Sequence, residues 1–198
     1  MVLDWCLDTD LKNIEQHCWQ LLYEGVRSYK NPFHHGVISS FSDAFPSART
    51  VIIREVDPDQ KMIRFNTDIR SPKFAEISAN PNICWLFYDE KLRMQMRCLA
   101  IANLHVNDPV AEKAWDEARL NCKITYTSPQ APGTPLNEPF LLDLNKEHVP
   151  DEELASARRN FSIVNTKVLS LDWTFLHHKG NRRAWFDYRK NMQTWMQS

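Results

Sequence analysis

Met94-Gln-Met-Arg-Cys-Leu-Ala-Ile-Ala-Asn-Leu-His-Val106 alternates without a break, and that alternation decides the fold. Met94, Met96, Cys98, Ala100, Ala102, Leu104 and Val106 make one face; Gln95, Arg97, Leu99, Ile101, Asn103 and His105 make the other. Successive side chains of a strand point to opposite faces, so this run predicts a long strand with one face in a core. Upstream, Ile83–Tyr88 is apolar throughout and reads as a strand buried on both faces. Met62–Thr67, the β-branched Arg49–Arg54 and His35–Phe41 are further strands, separated by the turn-rich Ser42–Ser47 and by Asp57-Pro58-Asp59. Downstream, Phe161–Leu176 turns at Lys179-Gly-Asn181 into Arg182–Tyr188, while the tail after Lys190 shows no pattern. Short β segments at this spacing predict an antiparallel barrel or sandwich.

Helices flank these strands. Residues 9–30 carry Leu11, Ile14, Cys18, Leu21, Leu22 and Val26 at helical spacing, with Thr9 or Asp10 as cap and Asn31-Pro32 as stop. Ser71-Pro72-Lys73 starts a short helix with a hydroxyl cap and Pro at the first helical position, and Asn80-Pro81 ends it. Asp108-Pro109 opens a helix expected to run to about 123, with Trp115, Arg119 and Lys123 on one face. Residues 127–140, with four prolines, form a loop long enough to be functional. Asp151–Ala157 reads as one more short helix with acids in its first turn.

The chain is 198 residues long, enough for one domain with a core that needs no staples. A net charge of −1 gives no global attraction for nucleic acid or an anionic membrane, so any anion site must be local. The five cysteines are scattered and never form a CxxC; four sit in apolar patterns and read as buried thiols in a reducing cytoplasm. The N-terminus shows no signal-peptide pattern, and no apolar run is long enough for a span. His34-His35 and His177-His178 lack acids or cysteines at ligand spacing, so no metal site is expected.

The chemistry-bearing residues cluster between Arg49 and Gln95. Arg49 and Arg54 bracket a strand, and Lys73 sits in the first turn of a helix, whose free N–H groups favour an anion. A phosphate needs several converging donors, Arg as a planar fork and Lys as a compact charge. Each of these bases alone would equally suit a solvated surface; together, on consecutive elements, they point to a phosphate site.

In order and spacing, Arg49-x-x-Ile-Ile-Arg54, Phe65-Asn-Thr67, Ser71-Pro-Lys73, Asn80-Pro81 and Met94-Gln-Met-Arg97 resemble the pyridoxamine 5′-phosphate oxidase superfamily. The likeness spans about 35–106 and resumes over 161–186; it is nearer to the oxidase-related FMN-binding proteins than to the vitamin B6 enzymes. It implies a single mostly β domain, an FMN-binding split barrel over about 35–106 and 160–188, homodimeric, with FMN at the subunit interface. Arg49 and Lys73 would hold the phosphate. Val51, Ile52, Asn66 and Thr67 would line the ring and ribityl chain, Arg54 would stand between cofactor and substrate, and Gln95 would come from the second subunit. Pro72 replaces a residue that is usually basic.

At the substrate side the family pattern is altered. Trp115, Arg119 and Lys123 stand where the oxidases bind the substrate phosphate, and Arg182-Arg183-Ala184 keeps a base but loses a histidine. Either Trp173 or Thr174 occupies the region of a flavin-stacking Trp. Arg119, Lys123 and Arg182 would suit an anionic small molecule. The resemblance thus implies an FMN-dependent oxidoreductase of unidentified substrate; the alternatives are a non-catalytic or stress-related flavin binder, and pyridoxamine or pyridoxine 5′-phosphate oxidation itself.

Overall fold

The computed structural model describes residues 4–42 and 45–198. Asp43 and Ala44, part of the expected turn Ser42–Ser47, lie outside the described residues, as do the first three residues of the N-terminal stretch. Among the described residues there are eight strands, the first seven following the sequence pattern: β1 His35–Phe41, β2 Pro46–Asp57, β3 Met62–Asp68, β4 Asn82–Asp89, β5 Met94–His105, β6 Phe161–Phe175, β7 Arg182–Asp187 and β8 Met192–Met196. The hydrogen-bonded order is β3-β2-β1-β4-β5-β6-β7-β8, and an additional β3–β6 pairing closes the first six strands into a barrel. All pairings are antiparallel.

Closure depends on the length of β6, which has 15 residues. One of its edges pairs with β5 from Met94↔Phe175 to His105↔Ile163. Its other edge is divided: Phe161–Lys167 pairs with β3, and Ser170–Phe175 pairs with β7. The barrel therefore splits along one strand, and β7 and β8 continue as a hairpin beyond the closed part. β8 escapes the sequence pattern because it is only five residues long, is mostly exposed and leans on a neighbour for its pairing.

The barrel interior is filled by alternate residues of each strand, Ile38, Ile53, Ile63, Phe65, Trp85, Phe87, Met96 and Cys98 among them, all buried. Trp85 stacks on Phe87 with ring centroids 5.4 Å apart and meets Phe65 edge-on at 5.5 Å. Burying such side chains contributes about 1.5–3 kcal/mol each. The buried indole still needs a partner: Trp85 Nε1–H donates to Thr166 Oγ1 at 3.0 Å, and that hydroxyl donates to the Ile63 carbonyl at 2.6 Å.

Helix α1, Leu11–Arg27, lays Ile14, Cys18, Trp19 and Leu22 on this core, and Asp10 caps it by accepting from the Lys12 N–H at 2.9 Å. It ends sooner than its expected limit near residue 30 because Phe33 folds back against Gly25. A Cβ at Gly25 would sit 2.5 Å from the Phe33 carbonyl oxygen, so the close approach requires glycine. Helix α2, Pro72–Ala79, begins and ends where Ser71-Pro72 and Asn80-Pro81 predict.

One helix differs from expectation. The segment expected as a single helix over 109–123 is two, α3 Pro109–Glu117 and α4 Leu120–Ile124, with Ala118 and Arg119 extended between them at ψ 137° and 151°. No Gly or Pro causes the break. Tertiary burial does: Trp115 packs edge-on to Phe161 and Tyr126, and Ile124 is fully buried on the far side of the break. The loop after it runs on to α5, Asp151–Asn160, well past residue 140. It is tied to the start of α2, where Arg70 Nη1 donates to the Ser128 carbonyl at 3.0 Å and Gly133, at φ +92°, lies against Pro72.

All five cysteines are free; Cys6, Cys18 and Cys98 are buried, whereas Cys84 and Cys122 are half-buried. No helix among the described residues is long and apolar enough to cross a membrane. Gly25→Ala is expected to lower the unfolding free energy by about 1–3 kcal/mol through backbone displacement, measured by urea denaturation followed by circular dichroism.

Candidate functional site

A cleft of about 230 Å³ opens between the outer wall of the barrel and α4. Its lining is Thr50, Val51, Ile52 and Arg54 from β2, Asn66 from β3, Lys73 from the first turn of α2, and Cys122, Thr125 and Tyr126 from α4 and the residues just after it. The strand period explains the β2 contribution. Val51 and Ile53 point into the core, so Thr50 and Ile52 face outward. Arg54 is the extra residue of a bulge, because Ile53 pairs with Phe65 and Glu55 with Arg64. A bulge re-aims a side chain, and here it leaves an exposed guanidinium on the cleft wall.

At one end lies Lys73. Its ammonium reaches Thr67 Oγ1 at 3.2 Å, a neutral partner that leaves further N–H donors available. Burial first, then the nearby Arg49 charge, hold Lys73 below the ordinary lysine pKa, with Asp68 and Glu76 opposing. An anion entering here would relieve that cost. Ser71 does not cap α2 with its side chain; its hydroxyl donates to the Asp68 carbonyl at 2.7 Å instead. The helix start therefore presents its positive end without an internal side-chain acceptor.

Arg49 lies behind this wall, not on it. Its Nη1 donates to Ser40 Oγ and to the Ser47 carbonyl, and its Nη2 to Ser47 Oγ and to Glu76 Oε2 at 2.7 Å. All four terminal N–H directions are engaged within the protein. Burial alone would raise the Glu76 carboxyl, but hydrogen bonds from Ser40 and Arg49 and the Arg49 charge hold it below its ordinary value. Thr67, also expected at the cofactor, is buried, its hydroxyl shared with Ser71 at 3.2 Å and with Lys73.

Gln95 faces outward on a different part of the barrel, opposite Tyr88 on β4 and Thr174 on β6, and takes no part in this cleft. Of the two positions considered for a flavin-facing residue, Trp173 is fully buried against Trp5 and Trp195, and Thr174 is the outward one, beside Gln95. The same face carries the half-exposed Leu86, Tyr88, Leu99 and Ile101. It also carries a cluster that the sequence pattern did not reveal. Asp172, almost fully buried, accepts from Arg97 Nη2 at 2.6 Å and from Arg183 Nε and Nη2 at 2.9 and 2.8 Å.

Of the four residues expected at the substrate, the structure brings Lys123 to Trp115 and holds Arg182 elsewhere, at the N-terminal turn. Trp115 is core. Lys123 lies over the Trp115 ring at 5.4 Å, and Arg119 is exposed at the helix break, so the shared helix face does not exist. Arg182 is on β7, where Nη1 donates to the Cys6 carbonyl at 2.7 Å, Nη2 to that of Asp8, and the guanidinium covers Trp195. Its work is to fasten the N-terminal turn. Thr50, Cys122, Thr125 and Tyr126 are cleft residues that the sequence reading missed. Thr50 was legible as the outward neighbour of Val51; the other three depend on the break before α4.

The lining contains no carboxylate. Arg54 and Lys73 are cationic, Asn66, Thr50 and Thr125 are neutral and polar, and burial pushes the Tyr126 phenol well above its ordinary pKa, so it stays a donor. Such a donor set fits a phosphorylated, planar polar ligand such as FMN. Among the described residues no three His, Cys, Asp or Glu side chains gather as a metal site.

Comparison with known proteins places this geometry. Residues 16–105 match the family model described as pyridoxamine 5′-phosphate oxidase, FMN-binding domain. A protein of Arabidopsis thaliana, pyridoxine/pyridoxamine 5′-phosphate oxidase 2, is 30% identical over 177 residues, covering 84% of this chain and 86% of the plant protein. Among solved structures, a pyridoxamine 5′-phosphate oxidase-related FMN-binding protein of Nostoc punctiforme superposes with a TM-score of 0.71 at 18% identity, over 92% of this chain and 97% of that one. PhzG of Burkholderia lata, solved with tetrahydrophenazine-1-carboxylic acid, gives 0.68 at 15% identity over 100% and 98%. With the split barrel, the cleft and a relative alike along most of both chains, this protein belongs to the pyridoxamine 5′-phosphate oxidase family.

Proposed function

We propose that the chain is an FMN-binding flavoprotein that works as a homodimer and catalyses oxidation or reduction of a small molecule. The observation that carries this reading is the carboxylate-free cleft with Lys73 at the start of α2 and Arg54 on its wall. FMN supplies the hydride-accepting ring; the protein holds the phosphate, orients the ring and limits access. Lys73 and the α2 start would take the phosphate, Asn66 with the backbone of Val51 and Ile52 the polyol and ring edge. Arg54 would face both cofactor and substrate. Gln95, pointing away from its own cleft, would serve the partner's, and the exposed Leu86, Tyr88, Leu99 and Ile101 around it favour an interface there. Five free thiols accord with a cytoplasmic setting.

Oxidation of pyridoxamine or pyridoxine 5′-phosphate is the sharper variant. The name of the plant relative supports it; against it stand the burial of Trp115, the seat of Lys123 over that ring and the engagement of Arg182 with the Cys6 and Asp8 carbonyls. We therefore favour a different small molecule, as PhzG binds one. A flavin binder without turnover is the remaining alternative, favoured by the lack of a carboxylate or histidine base in the cleft.

Lys73→Ala is expected to weaken FMN about 10–100-fold while leaving riboflavin nearly unchanged, measured by flavin fluorescence quenching. Equal loss for both flavins would place the phosphate elsewhere. Anaerobic bleaching of the FMN-loaded protein by NAD(P)H, followed by reoxidation with candidate substrates, separates an enzyme from a binder. Leu99→Asp is expected to convert a dimer into a monomer in light scattering and to cost FMN binding with it; a monomeric wild-type protein would remove Gln95 from the site.

A further inference from the structure

We propose that Glu76 is an internal counter-anion of the phosphate end, and that the site consequently holds FMN as an exchangeable ligand. This rests on the phosphate reading of the Lys73 end and goes beyond it. Glu76 reaches from α2 to Arg49 Nη2 at 2.7 Å, and Ser40 Oγ donates to the same carboxylate oxygen at 2.5 Å. Both partners are largely shielded from water, with side-chain exposures of 21% for Arg49 and 12% for Glu76. Glu76 is thus a committed partner of Arg49, not a surface acid passing by.

Two consequences follow from the donor count. Ser40, Ser47 and Glu76 fill every terminal N–H of Arg49, so only its Nε–H has no partner among the described residues. A phosphate would have to displace Glu76 from Nη2 or do without the guanidinium fork that makes Arg a strong phosphate ligand. The charge count agrees: Arg49, Lys73 and Arg70 contribute three positive charges, and Glu76 and the Arg70-paired Asp68 remove two, leaving +1 to meet a dianion. Pro72 adds neither a charge nor an N–H at the point where a third base or a helix donor would otherwise stand. Lys73 is the cation at this end with unfilled capacity, and the charged groups acting on it are Arg49, Asp68 and Glu76.

Glu76 is therefore a specificity-determining residue for the phosphate. It keeps Arg49 folded into the protein and reduces the advantage of a phosphorylated flavin over an unphosphorylated one. The neutral isostere Glu76→Gln retains an oxygen to accept from Arg49, removes the charge and turns the other carboxylate oxygen into an amide donor. The decisive quantity is the ratio of dissociation constants for riboflavin and FMN, measured by fluorescence quenching at low ionic strength. In Glu76→Gln this ratio is expected to rise about 10-fold or more through tighter FMN, with riboflavin affinity unchanged as the control for folding. A ratio that stays the same or falls, with riboflavin still bound, overturns the proposal. In parallel, Lys73→Ala reports on the underlying reading: if its riboflavin-to-FMN ratio matches wild type, the phosphate is not held there, a failure distinct from that of Glu76. If glutamine destabilises the protein, Ser40→Ala provides a second route. It removes the hydroxyl that holds Glu76 in place, and the same rise in ratio supports the proposal while no rise overturns it.

Discussion

The divided edge of β6 is the constraint on which the rest of the molecule depends. A strand of ordinary length could close the barrel on β3 or begin the β7–β8 hairpin, but not both. With 15 residues it does both, and its edge along β5 joins the two parts through a single register shift at Leu99 and Ala100, where Leu169 is left unpaired on β5. Because a one-residue slip would turn every interior side chain outward, this register also fixes which residues of β3 and β5 face solvent. Asn66 and Gln95 owe their outward positions to it.

Much of this was legible in the sequence, and the reason is period. The alternation over 94–106 and the apolar run at 83–88 report strand and burial together, and Pro72 and Pro81 mark α2 by the geometry of proline. The same rule exposes the weak point of the sequence reading. Arg49 and Arg54 are five positions apart, an odd number, so on a regular strand they cannot share a face. The bulge after Ile53 decides Arg54, and the seryl and glutamyl partners of Arg49 decide Arg49. Neither is a local property. The break at Ala118–Arg119 was invisible for a similar reason: every residue there tolerates a helix, and only the opposed burial of Trp115 and Ile124 prevents one.

The site therefore has two parts of different origin. The wall from β2, β3 and α2 arises from short-range rules, and its residues were assigned by position. The cover from Cys122, Thr125 and Tyr126 arises from the packing of α3 and α4, and it replaces the basic helix face expected there with a thiol, a hydroxyl and a phenol. The barrel wall of the cleft belongs to the first part; its cover belongs to the second.

Arg182 holds the carbonyls of Cys6 and Asp8, and the first of these contacts joins residues 176 positions apart. The clamp closes all the chain between them into a ring. The turn that carries Cys6 and Asp8 precedes its anchor on β7 in the chain, so during synthesis it stays unfastened until that strand has followed.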